Sequence, residues 1–415
     1  MVGSGPDKTW SVIVDKDLRP AYYDRFHCLA AGCKLSCCIG WNISFDKKDY
    51  LAMKHQRASP ELAERLEKAL CRVRDQEKYG GNMYAEFDMS GGACPLLRED
   101  CLCALQAEKG PKALPLVCKM FPRGERYQAS GYLHRSLSPA CEGVLALLWD
   151  LPEGVDFSSD LLPKAKRRKL LTEGATLLYR YFGEIQELCI DFLQDRCFPL
   201  PRRMLMLGMA LQKLTEGEAD IPGWLTKSRA MADALAADGF PEEPEQDNLL
   251  AMCLTDVIQA VYRFQTVDSE LQRIKNELIA NGGVFLSGGD AVMFSLAPYR
   301  AARTRFEESF GDRAYFFENL MVTLLFHLDL PDCASAETLW KSYVNLCNLY
   351  AFYRFAAVMS CREGGAGDRE ELFRMMVFIS RSLIHNGTQR AAIQDELFRH
   401  GSTTLAHMAV LLSGG

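Results

Sequence analysis

The chain has 415 residues, 48% of them hydrophobic and 25% charged, with a formal net charge of −6 and a pI near 5.8. Such a composition predicts a globular protein with a sizeable core, and gives no support for a general nucleic-acid or anionic-membrane binder. No run approaches the roughly 18 uninterrupted apolar residues of a membrane span; the best, Leu320 to Leu330, is broken by His327 and Asp329.

In chain order, residues 1–20 read as a flexible N-terminus. They lack the basic-then-apolar pattern of an export signal, which sets the expectation of a reducing, cytoplasmic location. Residues 21–150 form a cysteine-rich module with many turn signals, among them Gly80-Gly81-Asn82 and Gly110-Pro111. Inside it Ser59 to Tyr79 reads as a helix: Ser59 can cap it, Pro60 suits its first turn, and Leu62, Leu66, Ala69, Leu70 and Val73 line one face.

Residues 160–415 carry helical apolar spacing over 170–182, 185–193, 201–214, 224–237, 248–262, 316–328, 339–359 and 370–386. Strand-like runs are scarce, with Val12 to Val14 and Val284 to Leu286 the main ones. The basic run Pro163 to Lys169 reads as a solvated helix start, and Pro241-Glu242-Glu243-Pro244-Glu245 as an acidic linker. The glycine-rich segment 281–289 fits no nucleotide-binding fingerprint and reads as a connection. The expected fold is therefore mainly α: an irregular metal-binding module followed by an α-helical domain.

Ten of the 16 cysteines fall in the first 141 residues. In a reducing compartment, clustered thiols point to metal or redox chemistry before disulfides. None of the ten forms the C-x2-C knuckle of a zinc ribbon. The Cys33-(x3)-Cys37 spacing and the adjacent Cys37-Cys38 pair tilt the site toward an iron–sulfur cluster, with zinc the alternative. Cys71, Cys189, Cys197, Cys253, Cys333, Cys347 and Cys361 stand alone and read as inert thiols. Lys119 and Arg123 flank Cys118 closely enough to activate it, though charge compensation of a ligand is the preferred reading.

These residues resemble a known family. Phe26-His27-Cys28-(x4)-Cys33-(x3)-Cys37-Cys38-(x2)-Trp41-Asn42-Ile43-(x2)-Asp46-(x3)-Tyr50 is similar to the N-terminal motif of the flagellin lysine-N-methylases. Cys94-Pro95-Leu96-Leu97, Leu102-Cys103-(x2)-Gln106-(x3)-Gly110 and Cys118-(x2)-Phe121-Pro122-Arg123 resemble its second block. Ser136-Leu137-(x2)-Ala140-Cys141-Glu142 resembles its last cysteine motif, with Pro139 displaced to before the cysteine. Further on, Glu318-Asn319-Leu320 and Ser380-Arg381-(x3)-His385-Asn386 also resemble the family, more loosely.

The resemblance implies that Cys28, Cys33, Cys37, Cys38, Cys94, Cys103, Cys118 and Cys141 hold metal, while Cys71 and Cys101 are extras. It further implies an iron–sulfur protein, of the 4Fe-4S kind, that methylates flagellin lysines with S-adenosylmethionine. The family shares its cysteine core with small proteins described as zinc- or iron-chelating, so zinc stays open. The C-x3-C-x2-C signature of radical methyl-donor enzymes is absent, and a polar, in-line transfer is expected. Trp41, Asp46 and Tyr50 are the catalytic candidates within the motif, against core packing for the two aromatics and helix capping for Asp46. Two other readings compete: a non-catalytic zinc- or iron-binding interaction protein, and an iron–sulfur redox protein.

Overall fold

The computed structural model describes residues 10–75, 83–172, 176–217, 220–238, 284–287, 291–294, 296–361, 369–385 and 401–413, with a few isolated positions between them. The helical period read over 248–262, the acidic linker at 241–245 and most of the glycine-rich segment lie outside those residues. The protein is mainly helical. It also carries more strand than the sequence suggested, most of it within the first 172 residues.

Residues 10–20 are not a loose lead-in: they form β1 (Trp10–Val14) and β2 (Lys16–Pro20). β1 pairs antiparallel with β9 (Arg168–Thr172), so the basic run ends as a strand and not as a helix start. β2 lies parallel to β7 (Tyr132–Leu137) in a four-stranded sheet of order β6-β7-β2-β8, with β6 spanning Arg123–Tyr127 and β8 Phe157–Ser158. A three-stranded sheet, β3 (Ser44–Phe45), β5 (Ala85–Phe87) and β4 (Leu70–Arg72), sits in the cysteine-rich part.

The early helices are short. α1 (Lys47–Lys54) is capped by Asp46, which accepts Asp49 N–H at 2.7 Å. α2 (Pro60–Ala69) starts as the sequence indicated, with Ser59 Oγ accepting Leu62 N–H. It stops ten residues before the expected end, because Leu70–Arg72 pair with β5; cross-strand pairing there overrides the helical period. α3 (Ala104–Lys109), α4 (Leu116–Met120) and α5 (Glu142–Trp149) complete this half.

Beyond it come α6 (Leu177–Arg180), α7 (Phe182–Gln194), α8 (Leu200–Thr215), α9 (Ile221–Asp238), the hairpin β10 (Val284–Ser287) and β11 (Ala291–Phe294), then α10 (Leu296–Phe310), α11 (Tyr315–His327), α12 (Ala336–Ser360), α13 (Arg369–Leu383) and α14 (Leu405–Ser413). α12, buried along most of its length, packs against α8, α10, α13 and α14. No described helix is long and apolar enough to cross a membrane.

Two cores result. The large one fills the helical bundle and also takes in Tyr22, Tyr23, Phe26, Leu137, Val144, Leu145 and Leu148 from the N-terminal half. The small one is confined to residues 43–114 and is built on Ile43, Phe45, Tyr50, Leu66, Phe87, Leu96 and Leu105. The core boundary therefore falls within the cysteine-rich stretch, not near residue 150. α11 is the weld: it packs on α7, α5 and β7 together.

Candidate functional site

Backbone pairing draws the cysteine loops together. Cys94 N–H donates to Cys38 O at 2.8 Å, and Ile39 bridges Ala93. The chain then turns on itself, with Leu97 bridging Cys103 and Ala104 N–H donating to Leu96 O at 2.7 Å. Cys103 and Cys141 occupy the residues just before α3 and α5, while Cys118 lies within the single turn of α4. α4 is tied to α1 by Leu116 N–H donating to Asp49 Oδ2 at 2.7 Å.

The thiols feel one another. Burial pushes Cys94 up to about 12; Cys103 and Cys37 add to the rise, and the Leu96 and Leu97 N–H groups oppose it. Burial also raises Cys103, opposed by the Gln106 and Leu105 N–H groups and reinforced by Cys37. Cys118 is raised by burial and then by Cys37, Cys94 and Cys103. Burial takes Cys141 to about 11 against the Val144 and Gly143 N–H groups, with Cys37 and Cys28 adding to it. Cys37 is itself raised, first by its hydrogen bond with Cys38, while Arg381 pulls it down. Cys33 reaches about 12 through burial and then Glu142, with Cys141 adding a further push.

The eight cysteines singled out by the family pattern thus form one connected electrostatic set. Cys71 is outside it, answering after burial to Asp88 and Glu86 instead. Backbone N–H groups at Cys94, Cys103 and Cys141 favour thiolate but do not offset the rise from burial. Mutual repulsion among deprotonating thiols is what a bound cation relieves, so the donor chemistry suits a soft metal or cluster. Among the described residues, however, no three Cys, His, Asp or Glu side chains are gathered tightly enough to hold a metal ion.

Two charged side chains clasp the loops. Glu142 Oε2 accepts the Lys34 and Leu35 N–H groups at 2.8 Å each, and the Cys33 thiol donates to the same oxygen at 3.3 Å. The Cys33 and Cys141 loops are thereby joined. Arg381, buried near the end of α13, donates from Nη1 to Ile39 O at 2.9 Å, from Nη2 to Leu35 O at 2.7 Å and from Nε to Ala140 O at 3.4 Å. One guanidinium from the helical bundle therefore holds the backbone on both sides of the thiols.

Trp41 stands at this junction. Its Nε1 donates to Cys37 O at 2.7 Å, and its ring meets Phe121 and His385 edge-on, each at 4.7 Å between centroids. His385 Nε2 and Ser138 Oγ are 2.7 Å apart. Two residues back along β7, Ser136 Oγ lies 2.9 Å from His327 Nδ1; two further back, His134 Nδ1 lies 3.1 Å from Asp329 Oδ1. A polar seam thus runs down one face of β7. Gly124 on β6 permits it, since a Cβ there would come within 2.9 Å of Ser136 Oγ. Asp46 and Tyr50 lie elsewhere: the Asp46 carboxylate caps α1, and Tyr50 is buried in the small core with its ring 5.3 Å from Tyr84.

The family model for the FliB lysine N-methylase C-terminal domain matches residues 186–411, more than half of the chain. This chain belongs to the FliB lysine N-methylase family. It is 31% identical over 142 residues to a lysine-N-methylase of Salmonella typhimurium and 30% identical over 142 residues to one of Salmonella choleraesuis, in each case over 34% of both chains. Those alignments span about a third of the relatives' length. It is also 30% identical over 176 residues to the flagellar biosynthetic protein FliU of Salmonella muenchen, covering 42% of this chain and 95% of that one. No solved structure matches.

Within the FliB-family domain, the loosely matched stretches acquire definite roles. Glu318, almost fully buried, receives Arg203 Nη1 at 2.8 Å and Arg196 Nη2 at 2.8 Å. Asn319 Nδ2 donates to Leu148 O and Leu151 O, fixing the end of α5. Ser380 meets Tyr353 at 2.7 Å, and Arg381 and His385 reach the thiol loops. Glu142, Phe121, Ser138 and His327 carried no assignment from the sequence. Glu142 and Phe121 were visible in the family motifs, but only as neighbours of cysteines.

Proposed function

We propose that this protein is an S-adenosylmethionine-dependent protein lysine N-methyltransferase acting on flagellin-type lysines, with an iron–sulfur cluster on its eight-thiol core. The observation that carries the reading is the junction itself. A domain of the FliB lysine N-methylase family places Arg381 and His385 against the loops that bear the thiols. The relatives' names, lysine-N-methylase and flagellar biosynthetic protein, support a lysine acceptor on a flagellar protein. A reducing, cytoplasmic setting belongs to this reading, because thiolate ligands require it.

In this mechanism Cys28, Cys33, Cys37, Cys38, Cys94, Cys103, Cys118 and Cys141 would be the ligand set, and a cluster held there would supply Lewis-acidic iron and a rigid centre for the loops. Arg381 and Glu142 hold those loops in register. The lysine, deprotonated to the neutral amine with its proton released to solvent, attacks the sulfonium methyl. The new C–N bond forms from the nitrogen lone pair as the C–S bond breaks, its electron pair staying on sulfur. The chain's contribution is orientation of amine and donor and exclusion of water. Trp41 belongs to this site, whereas Asp46 and Tyr50 are engaged in capping and packing and are left out of it.

The test is anaerobic purification of the full chain, with iron, sulfide and zinc analysis and a visible spectrum, followed by incubation with the donor and flagellin. A brown, iron-loaded protein that adds methyl groups to lysines, read by mass spectrometry, is expected. A colourless zinc protein that ignores the donor would overturn the reading in favour of a metal-binding interaction protein. A reversibly cycling cluster without methyl transfer would favour a redox protein.

A further inference from the structure

Three rings from three separate parts of the chain meet at the thiol junction: Trp41 from the first cysteine loop, Phe121 just after α4, and His385 just after α13. Trp41 is inclined 75° to Phe121 and 88° to His385, and Phe121 and His385 are 6.0 Å apart at 61°. Mutually steep rings of this kind form a corner and not a stack. Trp41 and Phe121 are half-buried and His385 is exposed, so the corner opens to solvent. Two of the rings are fixed by hydrogen bonds, Trp41 to Cys37 O and His385 to Ser138, and the Arg381 guanidinium lies 5.8 Å from the Trp41 ring centroid. Arg381 is committed to three carbonyl oxygens, and so positions the corner without filling it.

We propose that the Trp41–Phe121–His385 corner receives the ε-nitrogen of the acceptor lysine and stabilises the positive charge that arrives on it. This rests on the methyltransferase reading and extends it. Aromatic faces attract alkylated ammonium groups through the ring quadrupole. In polar transfer the nitrogen begins neutral and ends cationic as the methyl moves across, while the sulfur loses its charge. Rings around the nitrogen therefore favour the transition state over the neutral amine, which raises kcat and not merely affinity. The solvent-facing opening suits a side chain presented by another protein.

The test compares binding of a trimethyl-lysine peptide with that of the same peptide carrying a neutral carbon isostere, by calorimetry on the full chain. Wild type should prefer the cation by about two- to fivefold, the scale of a cation–π contact at a solvent-facing site. Trp41→Leu and His385→Ala should abolish the preference, while Trp41→Phe and His385→Phe should keep most of it. In methyl transfer the first two variants should lose kcat with the donor KM unchanged. Circular dichroism and metal content per chain separate these effects from unfolding.

No preference in wild type, or one untouched by all four variants, overturns the proposal. So does a rise in donor KM alone, which would mark a sulfonium site instead. The two readings fail separately. Variants with unimpaired kcat sink the corner and leave the methyltransferase standing. A Trp41-dependent cation preference in a protein that transfers no methyl does the reverse.

Discussion

The two cores of this protein are held together by different means. The large one is apolar from Tyr22 to Leu412 and organised around α11 and α12, whose side chains are buried almost all the way round. The small one, over 43–114, has few large side chains, short helices and short strands, and is ringed by thiols. Burial at about 25 cal/mol per Å² of apolar surface maintains the bundle unaided, whereas so small a cluster is marginal by itself. Its order depends on backbone pairings such as Cys94 to Cys38, on the Arg381 and Glu142 clasps, and on whatever relieves the crowded thiols. A stable bundle gripping a conditional module is the arrangement that results.

The sharpest way to break this contrast is the same truncation in each core. Phe45→Ala and Phe316→Ala each remove a buried ring at a cost of about 3–5 kcal/mol. Phe45→Ala should release residues 43–118 to rapid hydrogen exchange while α11 and α12 stay protected; Phe316→Ala should lower the global unfolding midpoint instead. Identical exchange maps for the two variants would mean that the cores are one cooperative unit.

Glu318→Leu tests a buried charge cluster of the bundle, Glu318 with Arg203 and Arg196. It strands Arg203, whose side chain is 7% exposed, and should cost about 3–5 kcal/mol in urea unfolding followed by circular dichroism. Glu318→Gln, which keeps an acceptor, should cost less.

Arg381→Met probes the clasp between the regions. One buried and two partly buried carbonyl groups lose their donor, for a loss on the order of 3 kcal/mol. The change should appear as faster exchange and faster thiol alkylation in the loops around Cys33 to Cys38, with α12 unaffected. A uniform loss across the chain would show that Arg381 serves the bundle and not the loops.

The smallest effect concerns acid. Glu108 accepts Ser59 N–H at 3.0 Å and the Ser59 hydroxyl at 2.7 Å, and these bonds, then Lys109, lower its carboxyl from 4.5 to about 2. A depressed folded value means that the contribution is complete above about 4.5 and is lost as the pH falls toward 2. Because the group is exposed, the loss should be confined to faster exchange at the start of α2. Glu108→Gln should flatten that dependence.

Much of the helical layout was legible because apolar period and capping are local properties. The spacing over 316–328 and 339–359 became α11 and α12, and Ser59-Pro60 opened α2 as expected. Of the strands, the runs Val12–Val14 and Val284–Leu286 were legible and became parts of β1 and β10, but their partners and the remaining strands were not. Trp10 of β1 pairs with Thr172 of β9, 162 residues further on, and no local pattern announces a partner so remote. The same limit hid the site. Trp41 was readable as a motif residue, but its neighbours Phe121 and His385 come from elsewhere in the chain, and Ser138 and His327 are ordinary in their local sequence.

By itself the sequence determined which stretches coil, since apolar period and capping follow from residue type and spacing along the chain. It also carried the resemblance to the lysine N-methylases, a membership that the FliB family model over residues 186–411 bears out. Only the tertiary structure decided what closes on the thiols. Arg381 reaching Leu35 and Ile39 and His385 reaching Trp41 are contacts across most of the chain's length, and Glu142 reaches Lys34 across 108 residues. Such contacts are set by how α11 and α13 pack on α5 and β7, a property of the assembled cores that no single segment encodes.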